Sequence, residues 1–287
     1  MKLLTKMLTL MLETNPIVGL FFLLITFQSL EGNNIWKRDD VYDDDLLSFF
    51  NERAPRHMNP DAPMDISDPK HGVKMGVPTR WCDDGVHGIE IDWDPNSSVE
   101  YTCQPGEKGT SLQGKGQSND YKTIYTKAPE KIMHACLNET LDYESPIPTS
   151  GNHRPLWPVF GEYKYLPPQR YAHALEHGAI ALLYNPCLAK PEVVNRLKTI
   201  VTGCNWKHVI TPYKKIPGGR AYAVLAYENA YLLPNYESAD EDMTKVIEFI
   251  KAHGLKGPEA NTSQNGQYSA GIIEPAIPGN NALCPGL

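Results

Sequence analysis

At 287 residues the chain can hold one large domain or two small ones, and its 41% hydrophobic content supports a packed core. The formal net charge of -7 comes from one stretch, in which nine acids between Asp39 and Asp68 face only Arg53 and Arg56. The remainder is near neutral and has no basic stripe, which excludes a nucleic-acid binder.

Lys2 and Lys6 precede an apolar run over residues 17–27. That length suits a signal-peptide core and is too short for a full membrane span. Residues 1–32 are therefore read as a signal peptide. An uncleaved signal anchor is the alternative, because no small-x-small cleavage site follows the run. Six cysteines (Cys82, Cys103, Cys136, Cys187, Cys204 and Cys284) include no CxxC pair. They read as disulfides rather than as a zinc ribbon or a redox motif. Asn-x-Ser/Thr sequons at Asn96, Asn138 and Asn261 point to the same compartment. The expected location is secreted or lumenal, with no membrane insertion by the domain itself and an extracellular protein as the expected kind of partner.

Residues 33–80 read as an acidic, proline-rich tether, with Pro55, Pro60, Pro63, Pro69 and Pro78 and little periodicity. A globular α/β domain is expected over 81–260, with α+β as the alternative. Alternation over 89–93 predicts a half-buried strand and 99–103 a second, stapled by a Cys82–Cys103 bridge. The Gly-, Ser- and Gln-rich stretch 104–120 reads as a loop. Residues 178–184 predict a buried strand. Pro191 then opens a helix with Val193, Val194, Leu197, Ile200 and Val201 on one face, closed by Gly203. Residues 208–213 return as a strand, so this strand-helix-strand unit predicts two parallel neighbours in a small mixed sheet. A Cys187–Cys204 bridge around the helix is the expected disulfide. After the Pro217-Gly218-Gly219 turn, 221–233 predicts a third strand. The capping box Ser238-x-x-Glu241 predicts the start of a C-terminal helix, with Met243, Val246, Ile247 and Ile250 inward and Gly254 at its end. Residues 261–287 read as a polar tail that Cys284 ties back. The aromatic residues Trp157, Phe160, Tyr163 and Tyr165 fit either a groove lining or a packed core.

The densest chemistry lies in the string YAHALEHG at 171–178. On a helix His173 and His177 share a face, with Glu176 beside them. Two imidazoles so spaced can hold a transition-metal ion, with the carboxylate as ligand, orienting partner or base. The pattern H-x-x-E-H also matches the inverzincin metallopeptidases. Pro167, Pro168 and Gly178 leave room for only about two or three helical turns, which weighs against that reading. His153 is the leading candidate for a third ligand; His134 and Glu228 stand behind it. Zinc or copper suits such a set. Were a water to complete it, Glu176 would be the general base of a metal-dependent hydrolase. The competing reading is a non-enzymatic extracellular binding module in which the histidines only hydrogen-bond one another and the backbone.

Residues Thr149-Ser150-Gly151-Asn152-His153, followed by His173-Ala174-Leu175-Glu176-His177-Gly178, resemble the two signature blocks of a bacterial family of unknown function, DUF3105. Gly257-Pro258-Glu259 is similar to that pattern as well, and the likeness spans about 145–260. The resemblance implies an extracytoplasmic domain and one site formed by His153, His173, Glu176 and His177. Through the family's p53-inducible animal relatives it implies a growth-restraining role. It supplies no reaction.

Overall fold

The computed structural model describes residues 65–107, 120–279 and 283–285. The predicted leader, most of the acidic tether and residues 108–119 of the predicted loop lie outside the described residues. No helix among the described residues is long and apolar enough to cross a membrane.

A two-stranded hairpin, β1 (Ser67–Asp68) and β2 (Gly72–Val73), precedes the main sheet. That sheet contains β3 (Lys122–Tyr125), β4 (Gly161–Tyr163), β5 (Ile180–Tyr184), β6 (His208–Pro212), β7 (Tyr222–Ala226), β8 (Asn229–Leu232) and β9 (Ile272–Pro275). Their order across the sheet is β3-β8-β7-β5-β6-β4-β9. Strands β4, β5 and β6 are parallel, and the others join antiparallel. Three α-helices complete the described fold: α1 (Pro168–Glu176), α2 (Pro191–Cys204) and α3 (Thr244–His253).

The alternation of side chains across the sheet builds two cores. Ala181, Leu183, Val209, Ala223 and Leu225 pack with Tyr171, Ala174 and Leu175 of α1. Ile180, Leu182, Ile210, Tyr222 and Val224 pack with Val193, Leu197 and Ile200 of α2 and Val246 and Ile250 of α3. Strand β5 is apolar on both faces because helices cover both, as a central parallel strand requires. Each Leu, Ile or Val buried in this way contributes about 1.5–3 kcal/mol. Trp157, Phe160, Tyr163 and Tyr165 belong to the α1-side core. The predicted parallel unit is present as β5-α2-β6, with Ile180 opposite His208.

Several local expectations are corrected. Residues 89–93 form no strand; Ile89–Ile91 is a 3-10 turn entered through Gly88 at φ 74°. Ile89 and Trp93 are buried and Ile91 is exposed, so spacing by four decides which side chains face inward. Residues 99–103 are turns and bends. The disulfides are Cys82–Cys136, Cys103–Cys187 and Cys204–Cys284, in place of the expected Cys82–Cys103 and Cys187–Cys204. Each bridge spans 54 to 84 residues and joins elements brought together only by the fold. The single strand expected over 221–233 is the hairpin β7–β8, reversed at Tyr227-Glu228 with Glu228 at φ 61°. Glu241 closes the turn before α3 by accepting from the Glu237 and Ser238 amides. The helix itself starts later, where Asp242 Oδ1 accepts from the Thr244 amide at 2.9 Å.

Two segments read as peripheral carry structure. Hairpin β1–β2 lies in the stretch read as tether. The predicted tail supplies β9, the buried Tyr268 and the Cys204–Cys284 bridge.

Candidate metal centre

Helix α1 is nine residues long, opens on Pro168 and ends where His177 caps it. Its last turn presents His173 and His177 to a backbone ladder made by three remote segments. The His134 amide donates to His71 O at 2.9 Å, the Ala135 amide to His153 O at 2.9 Å, and the His153 amide to Met133 O at 3.2 Å. The ladder sets His71, His134 and His153 side by side against α1. Ring centroids lie 4.6 Å apart for His71–His134, 5.0 Å for His134–His173, 4.3 Å for His153–His173 and 4.9 Å for His173–His177. Trp157 covers His177, with centroids 4.5 Å apart.

All five imidazoles are held in the same way. Nδ1 of His71 meets Ile132 O at 3.1 Å, that of His134 meets Val73 O at 2.6 Å, and that of His153 meets Gly151 O at 2.8 Å. Nδ1 of His173 meets Arg154 O at 2.6 Å and that of His177 meets Glu259 O at 3.3 Å. A carbonyl oxygen only accepts, so each Nδ1 carries the hydrogen and Nε2 is the ring atom left for a further partner. Among the described residues none offers a hydrogen bond to these five Nε2 atoms, nor to Glu176 Oε2 or Glu259 Oε2. Fixing the tautomer through Nδ1 and aiming Nε2 at a common point is the usual way a protein prepares histidine ligands.

The electrostatics agree. Burial pushes the pKa values of His134, His153 and His173 down, and that of His177 down to about 4. These rings therefore stay neutral and available as ligands. Burial, helped by the nearby Glu259 charge, raises Glu176 to about 7. Glu176 Oε2 lies 3.2 Å from His153 Nε2. Two acceptors this close repel unless a proton or a cation stands between them. Two ligands on one tetrahedral zinc ion would lie about 3.3 Å apart given bonds near 2.0–2.1 Å.

Two overlapping groups meet the geometric demand for a shared ion, with donor atoms all within 4.8 Å of one another: His134/His153/His173 and His173/His177/Glu259. A third group, Cys103/Glu107/Cys187, has its sulfurs joined as a disulfide, which removes the thiolates a metal needs.

Glycines shape the second group. Gly178 ends α1 at φ 79°, and a β-carbon there would meet Leu255 Cα at 2.8 Å. At Gly257 a β-carbon would stand 2.1 Å from Glu176 O, so only glycine lets this loop close on the helix end. The closure is fastened by the Glu259 amide donating to Glu176 O at 3.0 Å, and it delivers the Glu259 carboxylate. Lys207 Nζ fixes the same corner by donating to His177 O, Ala260 O and Thr262 O at 3.2, 2.8 and 2.6 Å. Gly257→Ala is expected to lower stability by about 1–3 kcal/mol through overpacking. It should also pull Glu259 from the cluster, read as a lowered urea midpoint together with weakened zinc binding.

The residues singled out in the sequence thus fall into place unevenly. His153 and His173 meet in the first group and His173 and His177 in the second, while Glu176, 3.2 Å from His153 Nε2, belongs to neither. His134, held as a weaker candidate, stands in the first group. Glu228 is elsewhere: its carboxylate accepts from the Ala128 amide and the Tyr125 hydroxyl. His71 and Glu259 were missed as donors. His71 sits in the stretch read as tether; Glu259 sits in the Gly257-Pro258-Glu259 string, which carried a signal in its glycine and acid.

A family model described as "Protein of unknown function (DUF3105)" matches residues 134–266. No curated protein and no solved structure gives a significant match.

Proposed function

We propose that this chain, which carries a DUF3105 domain across residues 134–266, is a metal-binding protein of the secretory pathway. It holds a divalent transition ion through His134, His153 and His173, with Glu176 as fourth ligand. The observation that carries the reading is the shared setting of the imidazoles, each Nδ1 spent on a carbonyl and each Nε2 left for a further partner. Zinc and copper(II) both suit this donor set.

A purely structural cluster, with a protonated Glu176 donating to His153 Nε2, would still leave the Nε2 atoms of His134 and His173 buried without hydrogen bonds. Each such atom costs about 1–3 kcal/mol, so a bound cation accounts for the arrangement better. The three disulfides support an oxidising compartment, in keeping with the N-terminal apolar run. Burial of Glu176 at 2% exposure supports ion binding rather than turnover of a peptide at this carboxylate.

The test is metal content by mass spectrometry after secretion of the full chain from a eukaryotic host. Wild type is expected to retain at least about one ion per chain through dialysis, and His153→Ala/His173→Ala to lose it. Equal, negligible metal in both would remove the proposal.

A further inference from the structure

The two geometric groups, His134/His153/His173 and His173/His177/Glu259, share one residue. The ring of His173 stands between the others, 4.3 Å from His153, 5.0 Å from His134 and 4.9 Å from His177. Its Nδ1 is committed to Arg154 O at 2.6 Å, so it has a single lone pair to give, on Nε2. One lone pair binds one ion at a time. The ion proposed above takes the first group with Glu176, which leaves the second group unexplained. There His177 Nδ1 is spent on Glu259 O, while His177 Nε2 and Glu259 Oε2 are buried without hydrogen bonds and stand 3.8 Å apart. Buried polar atoms without partners require a reason.

We propose that the domain binds a single divalent transition ion at two positions that exclude each other. The resting position is on His134, His153, His173 and Glu176; the transfer position is on His173, His177 and Glu259. The inference rests on the metal-binding reading and extends it.

Both positions are closed, since His173 and His177 are 0% and 1% exposed. They differ in their approach from solvent. The Glu259 side chain is 13% exposed, and its Oε1 meets Nζ of the exposed Lys70 at 3.4 Å. Glu259 is therefore the ligand that an arriving ion meets first. From the transfer position the ion passes to the other side of His173, where His134 and His153 engage as His177 and Glu259 let go. The bond to His173 persists throughout, and two ligands replace two. The ion is thus never left bare in the interior, where an unpaired charge is strongly disfavoured. Neutral imidazoles serve both positions, so no histidine has to lose a proton.

Titration of the full chain with Zn²⁺ alone, in competition with a chromogenic chelator, tests this. Wild type should saturate at one equivalent. His134→Ala/His153→Ala, which removes the resting position, should still bind one equivalent, at least about tenfold more weakly. Adding Glu259→Gln to that variant should abolish binding. Glu259→Gln alone, close in shape to the native residue, should keep one equivalent but take up zinc several times more slowly in stopped flow. Two equivalents in wild type would overturn the mutual exclusion. A folded His134→Ala/His153→Ala that binds no zinc, or a wild-type uptake rate in Glu259→Gln, would overturn the transfer position and leave the resting one. Should the double variant fail to fold, the uptake rate of Glu259→Gln decides alone. No zinc bound by wild type would overturn both this inference and the reading beneath it.

Discussion

Asp83→Ala is expected to destabilise the protein by about 3–5 kcal/mol, the range for removing one partner of a buried ion pair. Total stability of a domain is only about 5–15 kcal/mol, so the urea midpoint should fall sharply. Arg170 donates from Nη1 to Asp83 Oδ2 at 2.5 Å and from Nη2 to Oδ1 at 2.9 Å, and both side chains are fully buried. Without the carboxylate the guanidinium would keep Leu156 O and the face of Tyr268, but not a counter-charge. Asp83 also receives the Gly85 amide. Its loss therefore frees the loop that Cys82 ties to Cys136, two residues from His134. Arg170 stands one turn before His173. The pair thus fastens the His134 segment to α1, and zinc affinity should fall together with stability. Replacing both partners, as Asp83→Leu/Arg170→Leu, should cost less than Asp83→Ala, since no lone charge remains. The exposed pair Lys190–Glu237 is the control: Glu237→Ala should change stability by no more than about 1 kcal/mol. A midpoint unmoved by Asp83→Ala would refute the fastening role.

The parts of the fold that could be read from the chain are those set by local periodicity under dense burial. Strand β5, helix α2 and strand β6 follow one another with proline at the helix start and apolar runs on either side, and their parallel pairing follows from chain handedness. His173, Glu176 and His177 were visible because helical spacing brings them together. What stayed hidden depends on long-range closure. His71 has no periodic neighbour that marks it, and its place is set by the backbone ladder to residues 132–134. Glu259 arrives only because Gly178 and Gly257 let two backbones touch. The cysteine partners lie 54 to 84 residues apart, beyond any spacing argument. Glu228 in a left-handed conformation reversed the β7–β8 hairpin without the glycine or asparagine that would have signalled it.

Glu176→Gln is expected to stabilise the metal-free protein above pH 7 while weakening its grip on zinc. The sign follows from the direction of each shift. Glu176 has its folded pKa raised from 4.5 to about 7. Its favourable contribution is full below pH 4.5 and lost as pH rises through 7, leaving a penalty on the order of 3 kcal/mol above that. The imidazoles run the other way. His134, His153, His173 and His177 are depressed below 6.5, so their contribution is present above pH 6.5 and lost as pH falls, toward about 4 for His177. Four sites taking up protons on unfolding outweigh one carboxyl releasing its own, so metal-free stability should drop between pH 6.5 and 4. Glu259, Lys70, Lys207 and Asp68 also face the cluster. At pH 8 the neutral amide of Glu176→Gln removes the carboxylate penalty and should raise the urea-derived stability of the metal-free chain. The same exchange removes a charged ligand, so the thermal upshift on adding zinc should shrink relative to wild type. A residue that served only packing would move both measurements in one direction. A site that spends stability on function moves them apart, and thermal unfolding at pH 8 with and without zinc decides between the two.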